Sequence, residues 1–118
     1  MSYDVRLYTI QTMHNEKQSS DDEFFDHDSN LVLFTDQQYS ELTEHLIRYD
    51  YQPIQFDQDT KHFKRQDSSA QAYLTKQGLY FSCSFNDEDI FEIRMMASEF
   101  TDTGEYAKYN PQIGEWEV

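Results

Sequence analysis

Chemistry in this 118-residue chain would have to come mainly from carboxylates, of which there are 23. At that density close carboxylate pairs arise by chance. General acid/base work needs one carboxyl whose pKa is raised in a pocket, and no pair is marked out that way. The four histidines, His14, His27, His45 and His62, never recur at i, i+3 or i, i+4, so no two share a helix face as metal ligands. Cys83 lies in the apolar run Leu79–Phe85 and reads as a small buried residue rather than a nucleophile. Asp26-His27-Asp28-Ser29-Asn30 matches the opening ligand positions of an EF-hand loop. The match fails where specificity lies, at Leu31 in place of the turn glycine and at Gln37 in place of the bidentate glutamate. A solvated acidic loop is the simpler reading. With only 3 glycines, the chain holds no nucleophile elbow, phosphate-binding loop or dinucleotide fingerprint. The residues argue against an enzyme, and they call for no metal or cofactor.

What the inventory does contain is charge. Against 23 acids stand 9 Lys and Arg, a net charge of −14 and a pI near 4.3. Like charges repel, so direct binding to nucleic acid or to an anionic membrane is disfavoured. The only basic cluster, Lys61, Lys64 and Arg65, is too small for a nucleic-acid footprint. It reads as charge compensation on a face away from any interface. No run of about 20 apolar residues is present to span a bilayer. The opening Met1-Ser2-Tyr3-Asp4-Val5-Arg6 lacks a basic and apolar leader, and Cys83 is the sole cysteine. Both features point to a reducing cytoplasm.

The elements that must position these groups follow from periodicity. The length suits one domain over 1–118. Leu, Ile, Val and Phe make up 25 of the 118 residues, and 19 residues are aromatic, so an aromatic-rich core is expected. Residues 3–13 alternate as a half-buried strand. Residues 14–30 lose periodicity and read as a long acidic loop, anchored by Phe24 and Phe25. Leu31–Phe34 reads as a short buried strand. Thr35 and Gln38 form a capping box, followed by Tyr39, Leu42, Leu46 and Tyr49 at helical spacing, which predicts a helix over 36–50. Glu44 and Arg48 suit an i, i+4 pair on its outer side. Residues 52–56, with Pro53, suit an edge strand. Residues 70–75 and 79–85 flank Lys76-Gln77-Gly78 as a hairpin. Residues 87–89 read as a turn and 90–96 as a further strand. Residues 106–109 and 115–117 read as two strands around a turn. The fold class is α+β: a mainly antiparallel sheet with one principal helix packed on one face.

Two acidic segments stand above the background. One holds Asp21, Asp22, Glu23, Asp26 and Asp28; the other holds Asp87, Glu88, Asp89, Glu92, Glu99, Asp102 and Glu105 against Arg94 alone. Solubility does not require −14, because self-repulsion at that level destabilises a small fold. Duplex DNA carries one charge per about 1.7 Å, so 14 charges match about 24 Å of duplex, close to the width of a domain of this length. Carboxylates held on a sheet can thus stand in for phosphates toward Lys and Arg.

In size, α+β character and these two acidic segments, the chain resembles the bacterial DNA-mimic proteins that bind the histone-like protein HU. The resemblance implies a cytoplasmic, monomeric protein that occupies the DNA-binding surface of HU and competes with DNA. The twelve acids just named are then the phosphate surrogates. An immunity protein that neutralises a basic toxin, such as a nuclease, is the alternative, and it would bind through a few hot spots.

Overall fold

In the computed structural model, residues 2–57 and 59–117 are described, without the side chain of Asp28. The N-terminal strand β1 (Ser2–Thr9) alternates as its sequence demands, with Val5 and Leu7 fully buried on one face and Arg6 and Tyr8 on the other. It lies inside a seven-stranded sheet. The other strands are β2 (Tyr51–Asp57), β3 (Thr60–Arg65), β4 (Gln71–Leu74), β5 (Leu79–Ser84), β6 (Tyr106–Asn110) and β7 (Glu115–Glu117). Their order is β2-β3-β4-β5-β1-β6-β7, with every pairing antiparallel. The α+β class is therefore as expected.

Three helices accompany the sheet among the described residues. The helix α2 (Asp36–Arg48) is the one predicted, and both halves of the Thr35/Gln38 capping box are formed. The hairpin β4–β5 pairs in register from Gln71↔Ser82 to Leu74↔Leu79. Strand β2 is an edge, and its register shifts between Pro53 and Gln55, where proline cannot support a regular ladder. The terminal hairpin β6–β7 also matches its expectation.

Two helices replace expected strand or loop. Thr9 ends β1 and caps α1 (Ile10–Gln18) by accepting from the Thr12 amide at 3.0 Å. The expected strand over 90–96 is instead part of α3 (Asp87–Thr101), capped by Asn86. Ile90, Ile93, Ala97 and Phe100 follow the helical period, and three acids in the first turn favour a helix N-terminus. Residues 31–34 form no strand. Leu31 and Phe34 are buried while Leu33 is exposed, and the Phe34 amide donates to the Lys76 carbonyl at 2.8 Å.

Each face of the sheet has its own core. On the first face α2 and α3 bring Leu42, Leu46, Ile93 and Phe100 onto Val5, Leu7, Phe63 and Phe81. On the second face Phe24 and Leu31 pack with Tyr8, beside Phe25, Tyr80, Tyr109 and Trp116. The aromatic anchors of the acidic loop thus act as expected, through two 3₁₀ turns at Phe24–Asp26 and Asp28–Asn30.

One carboxylate ties α3 to the sheet. Asp89 accepts from the hydroxyls of Ser68 (2.8 Å) and Ser69, from the Ser69 amide (3.2 Å) and from the Asn86 amide side chain (3.1 Å). These bonds hold its pKa at about 2, below the ordinary 3.8. The stability it contributes is present above about pH 4 and is lost as pH falls through about 2. In urea titrations at pH 7, Asp89→Ala should cost about 1–2 kcal/mol. The gap between the two proteins should narrow between pH 4 and pH 2. A gap that stays constant over that range would show that the carboxylate charge is not what matters.

Candidate partner-binding face

The sheet separates the two acidic segments. Asp21 to Asp26 belong to the strap over the second face, while α3 covers the first. The two acidic segments therefore do not share one surface: they form two sites with a sheet between them. The cause is the alternation of β1 and β5, which gives the sheet a core on each side.

On the second face Asp21, Asp22 and Glu23 are exposed in the turn after α1, and Asp21 Oδ1 accepts from the Glu23 amide at 2.9 Å. Asp26 is exposed at the rim of a shallow cavity. The side chain of Asp28, another predicted surrogate, lies outside the described residues.

On the first face the acids differ in what they are free to do. Asp87 and Glu88 are exposed in the first turn of α3. Asp89 is engaged by Ser68, Ser69 and Asn86 and clamps α3 to the turn between β3 and β4. Glu92 pairs with Arg65 at 3.2 Å. Glu99 is exposed and accepts from the Tyr49 hydroxyl at 2.8 Å. Asp102 is the exposed C-cap, and Glu105 sits in the following turn, 3.5 Å from Gln38 Nε2.

The basic cluster is divided by strand alternation. Lys61 lies over the Tyr39 ring of α2 at 4.9 Å, and Arg65 reaches Glu92 of α3. His62 stacks on Tyr73, on the opposite face. The cluster is thus not confined to a face away from the acids, and Arg65 adjoins the acidic helix. Glu44 and Arg48 form no ion pair, whereas Arg94 pairs with Glu117 at 3.2 Å.

Glu88, Glu92, Met95, Glu99 and Asp102 follow one another at three- and four-residue steps, and Phe91 stands three after Glu88 and four before Met95, so the six form a single stripe along α3. Phe91 and Met95 are 64% and 47% exposed. Composition had pointed only to the acids. The two apolar members were legible as helix positions opposite Ile90, Ile93 and Phe100, once the segment was read with a helical period. Tyr49, Glu92, Met95 and Glu99 border a dimple of about 50 Å³ between α2 and α3. Glu92 and Glu99 stand about 10 Å apart along the axis, two turns of helix. A basic side chain can lie across Met95 with its head on Glu99, since Glu92 is already paired with Arg65.

Other chemistry finds little support. Burial raises the Cys83 thiol to about 11, which keeps it protonated and unreactive at neutral pH. Among the described residues no three His, Cys, Asp or Glu side chains converge as a metal site. No helix among them is long and apolar enough to cross a membrane. No family model matches the chain, and no curated protein or solved structure is significantly similar to it.

The C-terminal end of α3 is electrostatically unfavourable. Glu99 and Asp102 sit at the negative end of the helix dipole; α3 carries no basic residue in its last turn, and the nearby Lys108 ammonium of β6 donates to Ser98 Oγ at 2.9 Å rather than to either acid. Glu99→Gln with Asp102→Asn should therefore raise stability by about 1 kcal/mol in urea unfolding at low ionic strength. The gain should shrink with added salt. A double variant less stable than the parent would mean that these acids serve the fold.

Proposed function

We propose that this protein binds the nucleic-acid-contacting surface of a basic protein and competes there with DNA. The α3 stripe supports this reading, because it presents the carboxylates of Glu88, Glu99 and Asp102 exposed in one row along the helix. The resemblance to HU-binding DNA mimics names HU as the partner to test first. A carboxylate row accepts Lys and Arg through charge-assisted hydrogen bonds, as phosphate does. Such contacts speed association and weaken with salt.

A second reading is favoured by Phe91 and Met95, which have no counterpart on a phosphate backbone. The stripe from Glu88 to Asp102 spans about 21 Å, over which one DNA strand would offer about six phosphates. It carries four carboxylates, those of Glu88, Glu92, Glu99 and Asp102, and Glu92 is already paired with Arg65. Charge interleaved with apolar anchors suits an immunity protein that plugs a basic nuclease through a few dominant contacts.

Binding to HU and to a panel of basic nuclease domains, by calorimetry across a salt series and with duplex DNA as competitor, tests both readings. Mimicry predicts HU binding that collapses between 0.1 and 1 M salt, as the screening length falls from about 10 to 3 Å. It also predicts displacement by DNA and little effect of Phe91→Ala. Neutralisation predicts one nuclease bound, with Phe91→Ala costing about 2 kcal/mol, or about thirtyfold in Kd. Binding to none of these at low salt would overturn both.

A further inference from the structure

A row of polar and aromatic side chains crosses the second face of the sheet, away from the α3 stripe. Pairing places Tyr109 beside Arg6, Arg6 beside Tyr80, Tyr80 beside Tyr73 and Tyr73 beside His62. Below it runs a second row in which Asp4 faces Ser82 and Ser82 faces Gln71. Phe25 and Asp26, from the acidic strap, close one end. Between them lies a cavity of about 450 Å³, within the range of about 300–1,000 Å³ seen for small-molecule clefts.

The lining decides what can enter. Its charged groups are Asp4, Arg6 and Asp26, one cation between two acids, within a chain of net charge −14. An anionic ligand meets that field as repulsion, and a donor-only cation leaves the Arg6 guanidinium without an acceptor. Tyr8 stacks on Phe25 at 5.2 Å and His62 on Tyr73 at 4.3 Å, so one face of each of these rings is taken. What the cavity presents is edges and heads, namely phenol hydroxyls, the Ser82 hydroxyl, a guanidinium donor and two carboxylate acceptors. Arg6 is set against the Tyr8 hydroxyl, and burial keeps that phenol protonated.

The geometry points to a binding site for a neutral, polyhydroxylated ligand, a short oligosaccharide, on the sheet face formed by β1, β5 and β4. Each sugar hydroxyl both donates and accepts, so it can satisfy the carboxylates and the guanidinium at once. This site stands independently of the basic partner proposed for α3.

Isotope-labelled protein titrated with cellobiose, maltose and N,N′-diacetylchitobiose, each to tens of millimolar, tests the site by amide chemical shifts. At least one sugar should give saturable shifts centred on Arg6, Tyr80 and Ser82. Arg6→Gln should weaken it about tenfold, the loss of one charge-assisted hydrogen bond. Ser82→Tyr, which fills the cavity from a half-buried strand position, should abolish it and serves as the deciding variant if Arg6→Gln does not fold. Adenosine and inorganic phosphate are the contrasting probes. No shift with any of the three sugars, shifts elsewhere on the chain, unchanged affinity in a folded variant, or binding of adenosine or phosphate alone would each overturn the assignment.

Discussion

The rest of the structure depends on the alternation of one central strand. Val5 and Leu7 leave β1 toward α2 and α3, while Arg6 and Tyr8 leave it toward the acidic strap. A strand buried on both sides forces a core on each face, and the aromatic composition supplies both. The first core is mixed aliphatic and aromatic. The second is nearly all rings, with Phe25 within 4.7 Å of Tyr109 and Tyr109 within 5.0 Å of Trp116.

That arrangement also manages the charge. Placing the acidic strap and the acidic helix on opposite faces keeps two repulsive clusters apart, beyond much of their mutual field at physiological salt. Within each face the acids divide further. Asp89 and Glu92 are used up internally by serines and by Arg65, whereas Glu88, Glu99 and Asp102 remain at the surface. An acid count therefore overstates how many carboxylates are free of internal partners.

Legibility followed the range of the interactions. The helix α2 was readable because its capping box and apolar stripe are local, spanning three or four residues. The hairpin β4–β5 and the edge strand β2 were readable from turn chemistry and from Pro53. The helix α1 was hidden because Thr9 closes a strand and caps a helix at once, and because only Thr12 of its residues is buried. The helix α3 was hidden because Asn86-Asp87-Glu88-Asp89 suits a turn as well as a helix start. Its apolar residues suggest a strand unless they are followed to Phe100.

The sequence by itself determined the charge, the aromatic richness and the locally encoded elements, since these depend on composition and on neighbours within one turn. Only the tertiary structure decided which acids meet which partners. Asp89 finds Ser69 across 20 positions, and Glu99 finds Tyr49 across 50. The same strand pairing assembles the Arg6 row from five separate strands and sets the two acidic segments back to back. The reason is physical: a carboxylate's role depends on its burial and its donors, and those come from sheet order and side-chain alternation rather than from its place in the chain.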